Sequence, residues 1–252
     1  MIPTYRGLNT LPKALDGLRR QTLPPGEFEV VCVVDGPGGG EAAWLRRRRT
    51  PFSLRVLEQT HAGAGAARNR GASAASASLL VFMDDDIVPD AYFLASHLEI
   101  HAGTRQDRAA VGITTWHPAI RLTPLMRSIA PAGKLNAYHR VEDPSNLPFA
   151  LCYGSNLSMP AALALRFPFN PALRCWEDTE LGYRLAYAGV RLVLAPRAVG
   201  WHWRGYTRPA WERRGRQARR WRGVFLKLHP EVPRRPDRYL RAALAMHLER
   251  GA

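Results

Sequence analysis

Three consecutive carboxylates, Asp84, Asp85 and Asp86, end the apolar run Leu79-Leu80-Val81-Phe82-Met83 in a chain whose formal net charge is +15. Acids this close repel one another unless a cation or hydrogen-bond donors hold them, and their hard oxygens suit Mg2+ or Mn2+. The plainer alternative is a solvated acidic turn. A fourth acid, Asp35, ends a second run, Glu29-Val30-Val31-Cys32-Val33-Val34. Taken singly, a strand-end Asp is a routine turn or cap residue. Two acids at the ends of neighbouring strands can instead hold one ligand from two sides.

Positioning these acids requires a sheet. Both runs read as strands buried on two faces, as in α/β proteins, where ligands collect at the carboxyl ends of the strands. Leu11, Ala14, Leu15 and Leu18 recur at helical spacing before Pro24-Pro25-Gly26, and Gly36-Pro37-Gly38-Gly39-Gly40 turns the chain after Asp35. A short helix is expected over Glu41–Arg49, a strand over Leu54–Glu58 and a closely packed small-residue helix over Ala66–Ala77. This alternation predicts parallel βαβ units. The first strand begins almost at Met1, which is compatible with a shortened start. Residues 104–150 show no clear periodicity and are expected to be irregular or mixed. A helix from Glu177 to about Ala188, a short strand Arg191–Ala195 and an Arg- and Trp-rich helix from Pro209 to about Leu228 complete the pattern.

The chain's 252 residues suffice for a full core, and 46% hydrophobic with 23% charged residues excludes wholesale disorder. No apolar run reaches the roughly 18–20 residues that cross a bilayer, and the first residues lack a signal-peptide core. Cys32, Cys152 and Cys175 are too few and too scattered for a disulfide framework or a zinc site. A cytoplasmic location follows as the expectation. The excess of 36 Lys+Arg over 21 Asp+Glu implies attraction to phosphate-bearing partners without selecting among them.

Several short pieces occur in a telling order: Ile2-Pro3-Thr4-Tyr5, Gln21-Thr22-Leu23-Pro24, Val33-Val34-Asp35-Gly36, Gly63 with Ala67-Arg68-Asn69-Arg70-Gly71, and Phe82-Met83-Asp84-Asp85-Asp86. Gly154-Ser155-Asn156-Leu157, Trp176-Glu177-Asp178-Thr179-Glu180-Leu181-Gly182-Tyr183-Arg184-Leu185 and His202 follow. Across about residues 1–205 this set resembles the family 2 glycosyltransferases, with their GT-A, Rossmann-like fold. The resemblance implies a mixed, mostly parallel sheet flanked by helices, with a nucleotide-sugar-binding half over 1–103 and an acceptor and catalytic half over 104–205. It implies metal-dependent, inverting transfer from a nucleotide-diphospho sugar to a hydroxyl of a glycan, lipid-linked or small-molecule acceptor.

On that resemblance Pro3, Thr4, Tyr5 and Asp35 hold the base and ribose, and Arg68 lies beside the nucleotide. Asp84 and Asp86 are then the outer members of the Asp-x-Asp motif, Asp84 facing the ribose or a metal-bound water, and Asp84 and Asp85 count with the nucleotide-sugar-binding residues. Asp86, and His202 as a further contact, hold Mn2+ or Mg2+, although imidazole is not the preferred Mg2+ ligand. Asp178 is the general base, which needs hydrogen-bond reach of the acceptor oxygen. Glu177 supports it, and Asn156 and Trp176 line the acceptor side. Each has a structural alternative: helix capping for Glu177-Asp178, a surface ion pair for Arg68, rim packing for His202. The Gly-Pro-Gly-Gly-Gly turn and Cys175-Trp176 depart from the usual family residues.

Beyond residue 205, a basic amphipathic extension over 206–252 carries Trp211, Ala218, Trp221, Phe225 and Leu228 on one face amid Arg213, Arg214, Arg216, Arg219, Arg220 and Arg222. Such a helix either contacts an anionic membrane, here the inner face, or packs its stripe on the catalytic domain. No nucleic-acid partner is expected, because no binding motif accompanies the charge. The rival readings are a retaining GT-A transferase, a nucleotidyltransferase and a non-enzymatic basic protein that binds RNA or lipid.

Overall fold

A computed structural model describes residues 1–103, 107–130, 138 and 141–232. The first half is a parallel three-stranded unit: β1 (Ile2–Thr4), β2 (Glu29–Asp35) and β3 (Ser53–Gln59), with α1 (Leu11–Arg19) and α2 (Glu41–Arg46) as the crossovers. Helix α3 (Ala64–Ala74) leads into β4 (Leu79–Met83), which joins β1 in parallel fashion: the Met1 amino group donates to Val81 O (2.7 Å) and Met83 N–H donates to Met1 O (3.1 Å). The side chains of β2 alternate as a two-faced strand must. Val30, Cys32 and Val34 pack with α1 residues Leu11, Leu15 and Leu18, whereas Val31 and Val33 meet Ala67 of α3.

The second half is where antiparallel neighbours enter. The order β4-β7-β6-β8-β5 is built from β5 (Ile87–Pro89), β6 (Arg108–Trp116), β7 (Asn156–Pro160) and β8 (Arg191–His202). Only β6 and β8 pair in parallel there; β4–β7, β6–β7 and β5–β8 are antiparallel. Helices α4 (Phe93–His101), α5 (Pro124–Ile129), α6 (Ala161–Arg166) and α7 (Glu177–Tyr187) flank this part. Leu80, Phe82, Val111, Leu157, Met159, Leu163, Leu181 and Leu185 form its core.

The strand β6 lies inside the stretch expected to be irregular. It is buried on both faces, so its residues carry no alternation to read. The strand expected over Arg191–Ala195 runs on to His202, across a bulge in which Gly112 and Ile113 pair with Ala195 and Val199. The last helix, α8 (Arg208–Leu228), starts with Thr207 Oγ1 accepting from Ala210 N–H (3.4 Å). Its Phe225 is fully buried beside Trp176, with ring centroids 5.7 Å apart, in a cluster that includes Phe149 and Tyr183. The apolar stripe of α8 therefore packs on the domain. Among the described residues no helix is long and apolar enough to cross a membrane.

Candidate active site

Arg68 is the hub of the acidic cleft. It projects from α3, is 3% exposed, and forks between two acids. Its Nη2 donates to Asp84 Oδ1 at 2.6 Å and its Nη1 to Glu177 Oε1 at 2.9 Å. Burial disfavours the charge, yet Asp84, Glu177 and Asp178 outweigh it and hold the guanidinium more firmly protonated than usual. Close packing leaves no room at Gly154, where a Cβ would lie 2.9 Å from Arg68 Cζ. A surface ion pair is thus not the role of Arg68: it ties the end of β4 to the start of α7.

Asp178 follows Glu177 in the first turn of α7, after Trp176 turns the chain in the left-handed region (φ 71°). Its Oδ1 accepts from Thr179 N–H (2.8 Å) and its Oδ2 from Gly154 N–H (3.3 Å). Burial and then the neighbouring Glu177 charge push its carboxyl up to about 6, against the pull of Arg68 and the two N–H donors. A carboxylate so tuned is half protonated in a mildly acidic medium and able to exchange a proton near neutrality.

The acidic triplet points three ways. Asp84 meets Arg68. Asp85 turns toward the β1–α1 loop, where Thr4 Oγ1 donates to its Oδ2 (2.5 Å), and burial pushes its carboxyl up to about 7 despite that bond. Asp86, 8% exposed, faces β8. Pairing of Ile87 with His202 brings the His202 Nε2 to 3.6 Å from Asp86 Oδ2, and Arg204 Nε lies 3.4 Å from the same oxygen. The other ring nitrogen, Nδ1, is 2.9 Å from Arg204 O, the shorter of its two backbone contacts.

The tautomer that donates its Nδ1–H there turns the Nε2 lone pair to the carboxylate across a gap too long for a hydrogen bond, and the other tautomer accepts the Arg204 N–H at Nδ1. A divalent cation fits that gap: ligand bonds of about 2.1 Å from N and O span a separation of this order, and the carbonyl on Nδ1 orients the ring as metal-bound histidines require. Among the described residues no three His, Cys, Asp or Glu side chains form a closed cation site.

Other expected site residues have mixed positions. Tyr5 is 45% exposed and stacks on His61, with ring centroids 4.3 Å apart. Pro3 is buried within β1, opposite Val33. Asp35 is 3% exposed, and protein donors engage both of its oxygens: Gln59 Nε2 (2.8 Å) and Ala62 N–H (2.7 Å) on Oδ1, Gly63 N–H (2.8 Å) on Oδ2, with His61 Nδ1 at 3.0 Å. It pins the β3–α3 turn, which sets the start of Arg68's helix.

Asn156 and Trp176 were expected to face an acceptor, and neither has that setting. Asn156 is 0% exposed; its Oδ1 meets His97 Nε2 (2.8 Å), and its Nδ2 donates to Ala198 O (3.0 Å) and Ile113 O (3.2 Å). Its amide satisfies backbone groups that the β6–β8 bulge leaves unpaired, a need invisible without the pairing. A Cβ at Gly112 would lie 2.3 Å from both Ala198 O and Asn156 Oδ1. Trp176, 6% exposed, is spent on packing α8. Glu41, absent from the sequence reading, is 1% exposed and accepts from Gly7 N–H (2.7 Å), joining the loops after β1 and β2. His61 and Arg204 were also missed, since neither lies in a patterned stretch.

Residues 1–155 match the model of glycosyl transferase family 2. A validoxylamine A glucosyltransferase of Streptomyces hygroscopicus subsp. limoneus is 27% identical over 226 residues, covering 79% of this chain and 50% of that protein. The chain thus spans about half the length of such relatives. Poly(ribitol-phosphate) beta-N-acetylglucosaminyltransferase TarS of Staphylococcus aureus is 31% identical over 88 residues, 34% of this chain and 15% of TarS. Among solved structures, the mannosyltransferase PcManGT of Pyrobaculum calidifontis, in complex with GDP-Man and Mn2+, superposes with a TM-score of 0.65 at 20% identity, over 86% of this chain and 59% of that one. S. aureus TarS 1–349 in complex with UDP-GlcNAc gives 0.61 at 18% identity, over 86% and 64%. The shared architecture is the GT-A fold expected above.

Proposed function

Because the chain belongs to glycosyl transferase family 2, we propose that it moves a sugar from a nucleotide-diphospho sugar to an acceptor hydroxyl with inversion, Asp178 serving as general base. The observation that carries this reading is the Arg68 fork. One buried guanidinium holds Asp84, on the donor side, and Glu177, next to the base, in a single rigid unit. In the proposed step Asp178 takes the acceptor proton as the acceptor oxygen bonds the anomeric carbon. The bond from that carbon to the diphosphate oxygen breaks, and its electron pair leaves with the nucleoside diphosphate. A carboxyl pushed up to about 6 suits the exchange.

Asp86 and His202, with Asp84 adjacent, would hold Mn2+ or Mg2+, which supplies charge stabilisation to the departing diphosphate. Pro3, Thr4 and Tyr5 would border the base and ribose, with the exposed Tyr5–His61 stack offering a flat surface. Asp35 and Asp85 would shape that subsite through the loops they pin. Donors of the class bound by the structural neighbours, UDP-GlcNAc and GDP-Man, are the first to test. The acceptor is a hydroxyl of a glycan, a lipid-linked molecule or a small molecule. Outward arginines of α8, Arg213, Arg216, Arg219 and Arg220, support a peripheral contact with an anionic inner membrane face; equal, salt-insensitive sedimentation with neutral and anionic liposomes would count against it.

The decisive test pairs product stereochemistry with one variant. NMR should show inversion at the anomeric carbon, and Asp178→Asn should bind donor normally while losing transfer by about 10²-fold or more. Retained configuration together with an active variant would instead favour a retaining enzyme.

A further inference from the structure

The basic helix α8 is fastened to the cleft at both ends. Near its start Trp211 packs on Tyr206 (5.4 Å between ring centroids), and Tyr206 in turn stacks on His202 (5.9 Å, 25° between planes). Toward its end Phe225 is buried against Trp176, the residue before Glu177 and Asp178. Between these anchors the inward stripe runs Trp211, Gly215, Ala218, Trp221, Phe225, with Ala218 only 2% exposed. Arg214 stands four residues before Ala218 and therefore on the same face. The stripe spans from the Asp86–His202 corner to the Asp178 corner.

Arg214 forms no ion pair among the described residues, and its side chain remains exposed. Tyr206 most strongly, and beyond it Cys175, Asp178 and Asp84, favour its charged form against the desolvating surroundings. Arg68 is committed to Asp84 and Glu177 and Arg204 to Asp86, while Arg222, which shares the stripe, is half-buried with an Nε that has no hydrogen-bond partner among the described residues. Arg213, Arg216, Arg219 and Arg220 are exposed and lie off the stripe.

Building on the family 2 reading, we propose that Arg214 reaches from α8 into the cleft between Asp86 and Asp178 and binds the donor's diphosphate, so that α8 is a wall of the active site. The carboxylates Asp84, Asp86 and Asp178 of the cleft would repel a diphosphate, and the guanidiniums of Arg68 and Arg204 beside them are already paired with acids. A planar guanidinium without a carboxylate partner presents paired donors to phosphate oxygens, which a lysine ammonium does not reproduce.

The test is calorimetric titration with UDP and GDP, and with uridine and guanosine, in Mn2+ and in chelator. Arg214→Ala should weaken the preferred nucleoside diphosphate by about 10-fold or more, in both conditions, while leaving nucleoside affinity and melting temperature unchanged. Arg214→Lys should recover only part, and Arg216→Ala, an off-stripe control, should bind as wild type. Diphosphate affinity of Arg214→Ala within about twofold of wild type would overturn the assignment to Arg214 alone. A wild-type protein that binds neither diphosphate in either condition would overturn the glycosyltransferase reading itself, and this inference with it.

Discussion

Replacing Arg68 with Met keeps most of the side-chain volume but removes the charge that Asp84 and Glu177 share. Glu177 is 8% exposed and would be left as a buried carboxylate facing a second acid, Asp178, without its cation. Breaking one partner of a buried pair costs about 3–5 kcal/mol. The Asp84 arm adds less, since that side chain is 35% exposed and water can replace part of the contact. At about 2–4 °C per kcal/mol for a chain of this size, the melting temperature should fall by roughly 6–20 °C. Arg68→Lys should fall between, because one ammonium cannot reach both acids as a fork does.

Chemical denaturation measures the loss, and adding Glu177→Gln to Arg68→Met should recover about 1–3 kcal/mol if the cost is the stranded charge. The same change has a catalytic signature. Arg68 pulls the Asp178 carboxyl down from where burial and Glu177 would put it, so the acid limb of the transfer rate should move to higher pH in Arg68→Met. A loss below about 1 kcal/mol, or an unmoved acid limb, would refute the view of Arg68 as the joint between donor side and base.

Four further outcomes are expected. In the wild-type enzyme, transfer should decline as pH falls through about 6, where Asp178 gains its proton; a flat profile from pH 5 to 8 would remove Asp178 from the reaction. Asp86→Ala should abolish the Mn2+-dependent part of donor binding measured by titration, and Mn2+ dependence equal to wild type would dismiss the Asp86–His202 corner as its holder. Burial pushes His97 down to about 4, so the folded protein holds it neutral while the unfolded chain protonates it near 6.5. Its contribution is present above about 6.5 and is lost as pH falls toward 4, by about 2 kcal/mol at pH 5; His97→Gln should flatten that slope in denaturation curves. Gly112→Ala should destabilise by about 1–3 kcal/mol through its collision with Ala198 O and Asn156, and a neutral effect would show that the bulge yields.

The local pattern of the chain was enough to place the strand-end acids and the helix that carries Glu177 and Asp178. Each rests on a short-range signal: an apolar run stopped by carboxylates, or acids opening a helical period. Where burial is two-sided the signal vanishes, and β6 went unread for that reason. Small residues marked α3 as closely packed, yet nothing in Ala67-Arg68-Asn69 shows that Arg68 reaches Glu177, 109 positions away.

What only the tertiary structure decided is which residues meet. Antiparallel pairing of β5 with β8 sets His202 before Asp86, and the β6–β8 bulge turns Asn156 from a cleft residue into a plug for unpaired carbonyls. Packing of Phe225 on Trp176 decides that the inner stripe of α8 belongs to the domain, leaving its outer arginines to solvent. Residue type and spacing determine what chemistry a side chain can do. Its partners depend on strand register and helix docking, which arise from contacts too distant in the chain to leave a local pattern.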